Sequence, residues 1–316
     1  MKPEKEEFKI PVHGAEDFSV SEGVKAIPKE ERVIVKKEDL SPPKNFEQGE
    51  VLIIPVVNVK DIRDSKDGEI GALYPDQAKE FEIRMETFFD EVYKNLPENE
   101  RQDIDIIFLA GETDLITPGE DGIKNPHQRA VETGDVAIVA IKKIMDKYGL
   151  NPDKALTTKN GRPIAITHLN DLKFLHPLGS ESEEKYRDFL VKKYGTAGRE
   201  IWKAFECDDD KEIRESLGAE GPDEIADRTA NVMDISSTIA DLHQEENPQK
   251  RVIIFAFGHY DNLSPWVKKH LVGVEPAKGF VPMEKGGGLV IKRKSDKTAS
   301  AILGDKEYTV KLDSLV

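Results

Sequence analysis

The sequence predicts an α/β fold: a three-layer α/β/α sandwich around a mostly parallel sheet. Three observations predict it. Continuous apolar runs at Val51-Leu52-Ile53-Ile54-Pro55-Val56-Val57, Ile104 to Ala110 and Val252-Ile253-Ile254-Phe255-Ala256-Phe257 lack the in/out alternation of a half-solvated strand, so they read as strands covered on both faces. Segments with apolar residues at helical spacing separate them, as parallel crossovers require. The last run enters Gly258-His259-Tyr260, which puts a titratable ring at a strand's carboxyl end, where open α/β sheets bind ligands.

Residues 1–48 mix Pro, Gly, Glu and Lys around one short alternating segment, Arg32 to Lys36, and read as an extended arm or appendage. Val51 to Val57 opens the globular pattern, with Pro55 arguing for an edge position or a bulge. Asp76 to Asn95 is helical, with Phe81, Met85, Phe88, Phe89 and Val92 on one face and Pro97 beyond its end. A strand over Ile104 to Ala110 stops at Gly111, a polar Gly- and Pro-rich loop follows, and His127 to Tyr148 is helical up to Gly149. Pro163 to His168 suggests a short strand, Glu183 to Tyr194 a helix, and 196–221 a charged connection holding one further short helix. Pro222 to Gln244 carries the longest helical pattern of the second half, with Pro222 suited to a first turn. Beyond Gly279, two β-patterned stretches, Leu289 to Arg293 and Tyr308 to Leu312, read as a hairpin or small sheet extension. The expected units are an arm at 1–48, an α/β domain at 49–278 and a β-rich extension at 279–316.

Composition narrows the function classes. With 46 Lys and Arg against 61 Asp and Glu, the 316-residue chain has a formal net charge of −15, which opposes non-specific attraction to nucleic acid or anionic lipid. That balance still allows a local basic pocket for a small phosphate, and neither a nucleic-acid nor a membrane partner is expected. The charged N-terminus lacks the apolar core of a signal peptide, and no apolar run reaches membrane-spanning length; cytoplasmic localisation is the expectation. The single cysteine, Cys207, lies among Glu206, Asp208, Asp209 and Asp210, where neighbouring carboxylates disfavour a thiolate. His168, His176, Asp171, His259 and Asp261 show no compact metal-ligand spacing, and Gly286-Gly287-Gly288 lacks the lysine and hydroxyl of a phosphate-binding loop. No metal and no cofactor is expected.

Three motifs occur in a suggestive order: Gly71-Ala72-Leu73-Tyr74-Pro75-Asp76-Gln77-Ala78, then Arg129-Ala130-Val131-Glu132-Thr133, then Gly258-His259-Tyr260. This order resembles the histidine phosphatase superfamily, which includes the cofactor-dependent phosphoglycerate mutases, over about residues 50 to 275. The resemblance implies a phosphoglycerate mutase-like fold, a phosphate clamp at Arg129 and a pocket imidazole at His259. It also implies an acid after the middle strand, where Asp171 or His168 stands in place of the usual glutamate. The departure lies at the first strand's end. That position supplies the nucleophilic histidine of the family's Arg-His-Gly motif, and here the sequence reads Val57-Asn58-Val59. An amide is no substitute in covalent phosphoryl transfer. His13, in Pro11-Val12-His13-Gly14, is a displaced candidate for the nucleophile.

The expected function is accordingly a divergent, pseudoenzyme-like member of that superfamily with a phosphate pocket around His259 and Arg129 and without ordinary phosphohistidine catalysis. The alternative is an active phosphomonoester hydrolase that uses His259 with a nucleophile such as His13.

Overall fold

The computed structural model describes residues 35–60, 72–111, 128–157, 161–165, 181–195, 199–273 and 283–313. In chain order the elements are β1 (Val51–Val57), α1 (Pro75–Lys94), β2 (Ile104–Ala110), α2 (Arg129–Lys147), α3 (Pro152–Ala155), β3 (Ile164–Ala165), α4 (Glu181–Tyr194), α5 (Arg199–Glu206), α6 (Lys211–Leu217), α7 (Pro222–Gln244), β4 (Arg251–Gly258), α8 (Tyr260–Trp266), β5 (Ile291–Arg293), β6 (Ala299–Leu303) and β7 (Lys306–Val310). A π-helical turn, Val267–Val272, extends α8. Among the described residues no helix is long and apolar enough to cross a membrane.

One seven-stranded sheet, ordered β3-β2-β4-β1-β5-β6-β7, organises the molecule. It is mixed, which corrects the expectation of a mostly parallel sheet. Strands β3, β2, β4 and β1 are parallel, but β5, β6 and β7 each run antiparallel to their predecessor in the sheet. Connection length explains the direction of β6 and β7. Gly304-Asp305 joins β6 to β7, and a turn closed by Lys294 N–H donating to the Thr298 carbonyl at 2.8 Å joins β5 to β6. Links so short permit hairpins and forbid parallel crossovers.

Helices cover both faces of the sheet. On one face α1 and α2 bring Phe81, Met85, Phe88, Phe89, Ile138 and Ile141 against Phe108, Phe255 and Phe257. Phe255 lies between Phe108, with ring centroids 5.4 Å apart and nearly parallel planes, and Phe88, at 5.8 Å. On the other face Val232 and Met233 of α7 and Trp266 of α8 pack on Ile107, Ile254 and Leu289. The segment expected to hold one short helix forms two, α5 and α6. Phe205 and Ala219 there share a smaller core with Tyr186 and Leu190 of α4 and Ile225 of α7.

Pro55 also corrects an expectation: β1 is an interior strand, between β4 and β5, with every residue buried. Its proline is tolerated because β1 pairs with β5 only over Val51 to Ile53. Opposite Pro55 the neighbour is the irregular Gly288-Leu289 segment, where Leu289 N–H donates to the Pro55 carbonyl at 3.2 Å and the missing proline donor interrupts no regular ladder. A side chain at Gly288 would place its Cβ 2.5 Å from that carbonyl oxygen, so glycine is needed for the close approach.

Candidate functional site at the strand ends

Parallel register gathers the polar ends of three strands. Val57 is opposite Gly258 and Ala110 opposite Phe257, so Asn58 and His259 leave the sheet at one level and Gly111 one residue behind them. Backbone bonds fix the level: Asn58 N–H donates to the Gly258 carbonyl at 2.9 Å and Gly111 N–H to the Phe257 carbonyl at 3.0 Å. Asn58, the residue at the place where the resemblance implies a histidine, is thus the lateral neighbour of His259.

His259 is buried and extended, with φ −108° and ψ 154°. It ends β4 and caps α8, its carbonyl accepting from Asn262 N–H at 3.1 Å and Leu263 N–H at 3.3 Å. Two helices then hold α8. Thr229 of α7 donates its hydroxyl to the Asn262 carbonyl at 3.2 Å. Glu206, at the end of α5, accepts from Ser264 at 2.9 Å and from the Lys268 ammonium at 2.8 Å, and all three side chains are buried. Burial pushes the Glu206 carboxyl up, against the pull of Lys268. Removing either charge leaves the other without its buried partner, a strongly destabilising change.

Arg129, the first residue of α2, is buried at the same edge. Thr133, one turn on, donates its hydroxyl to the Arg129 carbonyl at 2.7 Å and accepts from Val59 N–H at 3.0 Å. That hydroxyl stitches the start of α2 to the residue after Asn58. Gly134 completes the approach, since a Cβ there would lie 2.5 Å from Pro163 Cγ and 3.2 Å from the Phe257 ring. Asp135, on α2, pairs with Arg162 at 2.6 Å. Lys60 stacks its ammonium over Tyr74, 5.1 Å from the ring centroid.

Of the residues singled out in the sequence, His259 and Arg129 are brought to the same sheet edge. His13, His168 and Asp171 lie outside the described residues. Sequence reasoning assigned no role to Thr133, although its position four residues after Arg129 puts both on one helical face. It also missed Glu206, Ser264 and Lys268, because tertiary packing joins residues from two distant helices. Burial pushes the Cys207 thiol up, opposing thiolate formation. Among the described residues, no group of three or more His, Cys, Asp or Glu side chains is arranged to hold a metal ion.

No family model matches the chain, and no curated protein matches it in sequence. Among solved structures, it is similar to phosphoglycerate mutase from Bacillus anthracis str. Sterne, with 12% identity and a TM-score of 0.41, over 84% of this chain and 94% of that one. It is also similar to a protein titled Mycobacterial hydrolase 1, with 10% identity and a TM-score of 0.37, over 81% of this chain and 98% of the other. Both likenesses are weak.

Proposed function

We propose that this protein binds a small phosphorylated ligand at the carboxyl edge of its parallel strands, between Arg129 and His259, and does not catalyse phosphoryl transfer through a phosphohistidine. The observation behind this reading is the register that seats Asn58 directly beside His259. The motif order makes that position the one for a nucleophile, and the side chain there is an amide. Arg129 supplies a guanidinium able to hold two phosphate oxygens, and the first-turn amides of the 19-residue helix α2 favour an anion at the same end. His259 supplies an imidazole, which donates to an oxyanion or moves a proton according to its protonation state. A buried guanidinium thus stands at this edge of a strongly acidic chain.

Titration calorimetry with inorganic phosphate tests the reading. Saturable binding that weakens about tenfold or more in Arg129→Gln is expected, together with background-level hydrolysis of para-nitrophenyl phosphate. Absence of phosphate binding sinks the pocket. Turnover abolished by His259→Ala would instead establish a phosphatase with a nucleophile other than residue 58.

A further inference from the structure

We infer that Asn58 makes this site selective for an oxyanion that still bears a proton, or for a phosphate ester with a hydroxyl beside the phosphate, over a fully deprotonated anion. The inference rests on the anion-binding reading above and adds the chemistry at one of its walls. Almost every hydrogen-bonding group of Asn58 is already engaged: its N–H donates to the Gly258 carbonyl at 2.9 Å, its carbonyl accepts from Gly286 N–H at 3.3 Å, and its side-chain Nδ2 donates to the Val59 carbonyl at 2.9 Å. One Nδ2 hydrogen remains beyond these bonds, and the acceptor Oδ1 is buried with no hydrogen-bond partner among the described residues.

The amide cannot turn round to remedy this. The Val59 carbonyl is only an acceptor, so Nδ2 must face it, and exchanging the two ends would set oxygen against oxygen. The side chain therefore holds a bare acceptor at the strand edge that it shares with His259, and a buried acceptor is stabilised only by a donor. An anion without a hydrogen meets a repulsive lone pair here. Monohydrogen phosphate can turn its P–OH toward Oδ1 and keep its charged oxygens for Arg129. A histidine at this position attacks phosphorus; the asparagine sorts anions by whether they can donate.

Phosphate and sulfate supply the test, because in mildly alkaline buffer both are dianions of similar shape and only phosphate retains a hydrogen. Calorimetry on the full-length protein is expected to show phosphate bound about tenfold or more tightly than sulfate. Asn58→Leu, which has no acceptor, is expected to bring the two affinities to near parity. Asn58→Thr is expected to keep the preference, since its hydroxyl can donate to the Val59 carbonyl and turn a lone pair outward. Thermal melts establish that the variants fold; should the leucine variant not fold, the wild-type ratio and the threonine variant carry the test. Equal binding of the two anions by the wild type, or a preference that survives in Asn58→Leu, overturns the inference and leaves the anion site standing. Binding of neither anion removes both.

Discussion

The parallel and antiparallel halves of the sheet solve different problems with neighbouring strands. In β1, β2 and β4 every residue is buried, because helices lie on both faces and the crossovers are long. In β6 the pattern returns to in/out alternation, with Ile302 62% exposed, and most of β7 is exposed or half-buried. The first arrangement ends in a tight polar edge where Asn58, Arg129, Thr133 and His259 are all buried. Only strands leaving the sheet together in one direction can assemble such an edge. The antiparallel half sends its polar groups to water or to partly solvated ion pairs, apart from the buried Arg293 of β5, and it covers a flank of β1 that would otherwise be open.

Truncating one apolar residue in each half should expose the contrast most strongly. Phe255 is enclosed between aromatic rings of β2 and α1, and Phe255→Ala is expected to cost about 3–5 kcal/mol through lost burial and the cavity left behind. Ile302→Ala should stay within about 0.5 kcal/mol. Urea denaturation of the two variants checks this, and comparable losses would mean that the hairpin strands are as deeply integrated as β4. A smaller effect is expected where α2 approaches the sheet. Gly134→Ala gains about 1 kcal/mol of helix propensity, but its Cβ meets Pro163 and Phe257 at 2.5 and 3.2 Å, and overpacking typically costs about 1–3 kcal/mol. Net destabilisation is expected, with a raised midpoint counting against close helix–sheet contact as the reason for glycine.

The same division governs what the sequence reveals. Helix α7 occupies Pro222 to Gln244 as its apolar period and first-turn proline predict, and the central apolar runs form β1, β2 and β4, since burial on both faces leaves a continuous local signal. The hairpin character beyond Gly279 is legible as well, but β-propensity does not encode that β5 pairs antiparallel with β1, which adds this unit to the main sheet and makes the whole sheet mixed. Pro55 misled for a related reason, since the interruption opposite it is made by glycines more than 230 positions later. At the site, the strand-end position of His259 and the helix-start position of Arg129 follow from local pattern. The orphaned Oδ1 of Asn58 and the Glu206–Lys268 pair do not, because they exist only once separate segments meet.

The gentlest expected effect lies on the antiparallel flank and concerns pH. Partial burial pushes the Asp241 carboxyl up, but the hydrogen bond from Lys297 and the guanidinium of Arg293 outweigh it and hold the group below the ordinary carboxylate value. Asp241, on α7, contacts Arg293 of β5 at 2.9 Å and Lys297 of the following turn at 2.6 Å. A carboxyl whose folded value is depressed adds stability in full above its unfolded value, about 3.9, and loses it as pH falls through the folded one. The stability difference between wild type and Asp241→Asn should therefore shrink as pH is lowered below about 4. The change should be modest, because Lys297 is exposed and solvent screens it. A difference that stays flat from about pH 7 to about pH 3 would show that these charges do not hold α7 to β5. The link would then rest on Arg293 donating to the Ser237 carbonyl at 3.1 Å and hydroxyl at 2.7 Å, contacts that do not titrate in this range, and the flank would resemble the buried edge more than its exposed strands suggest.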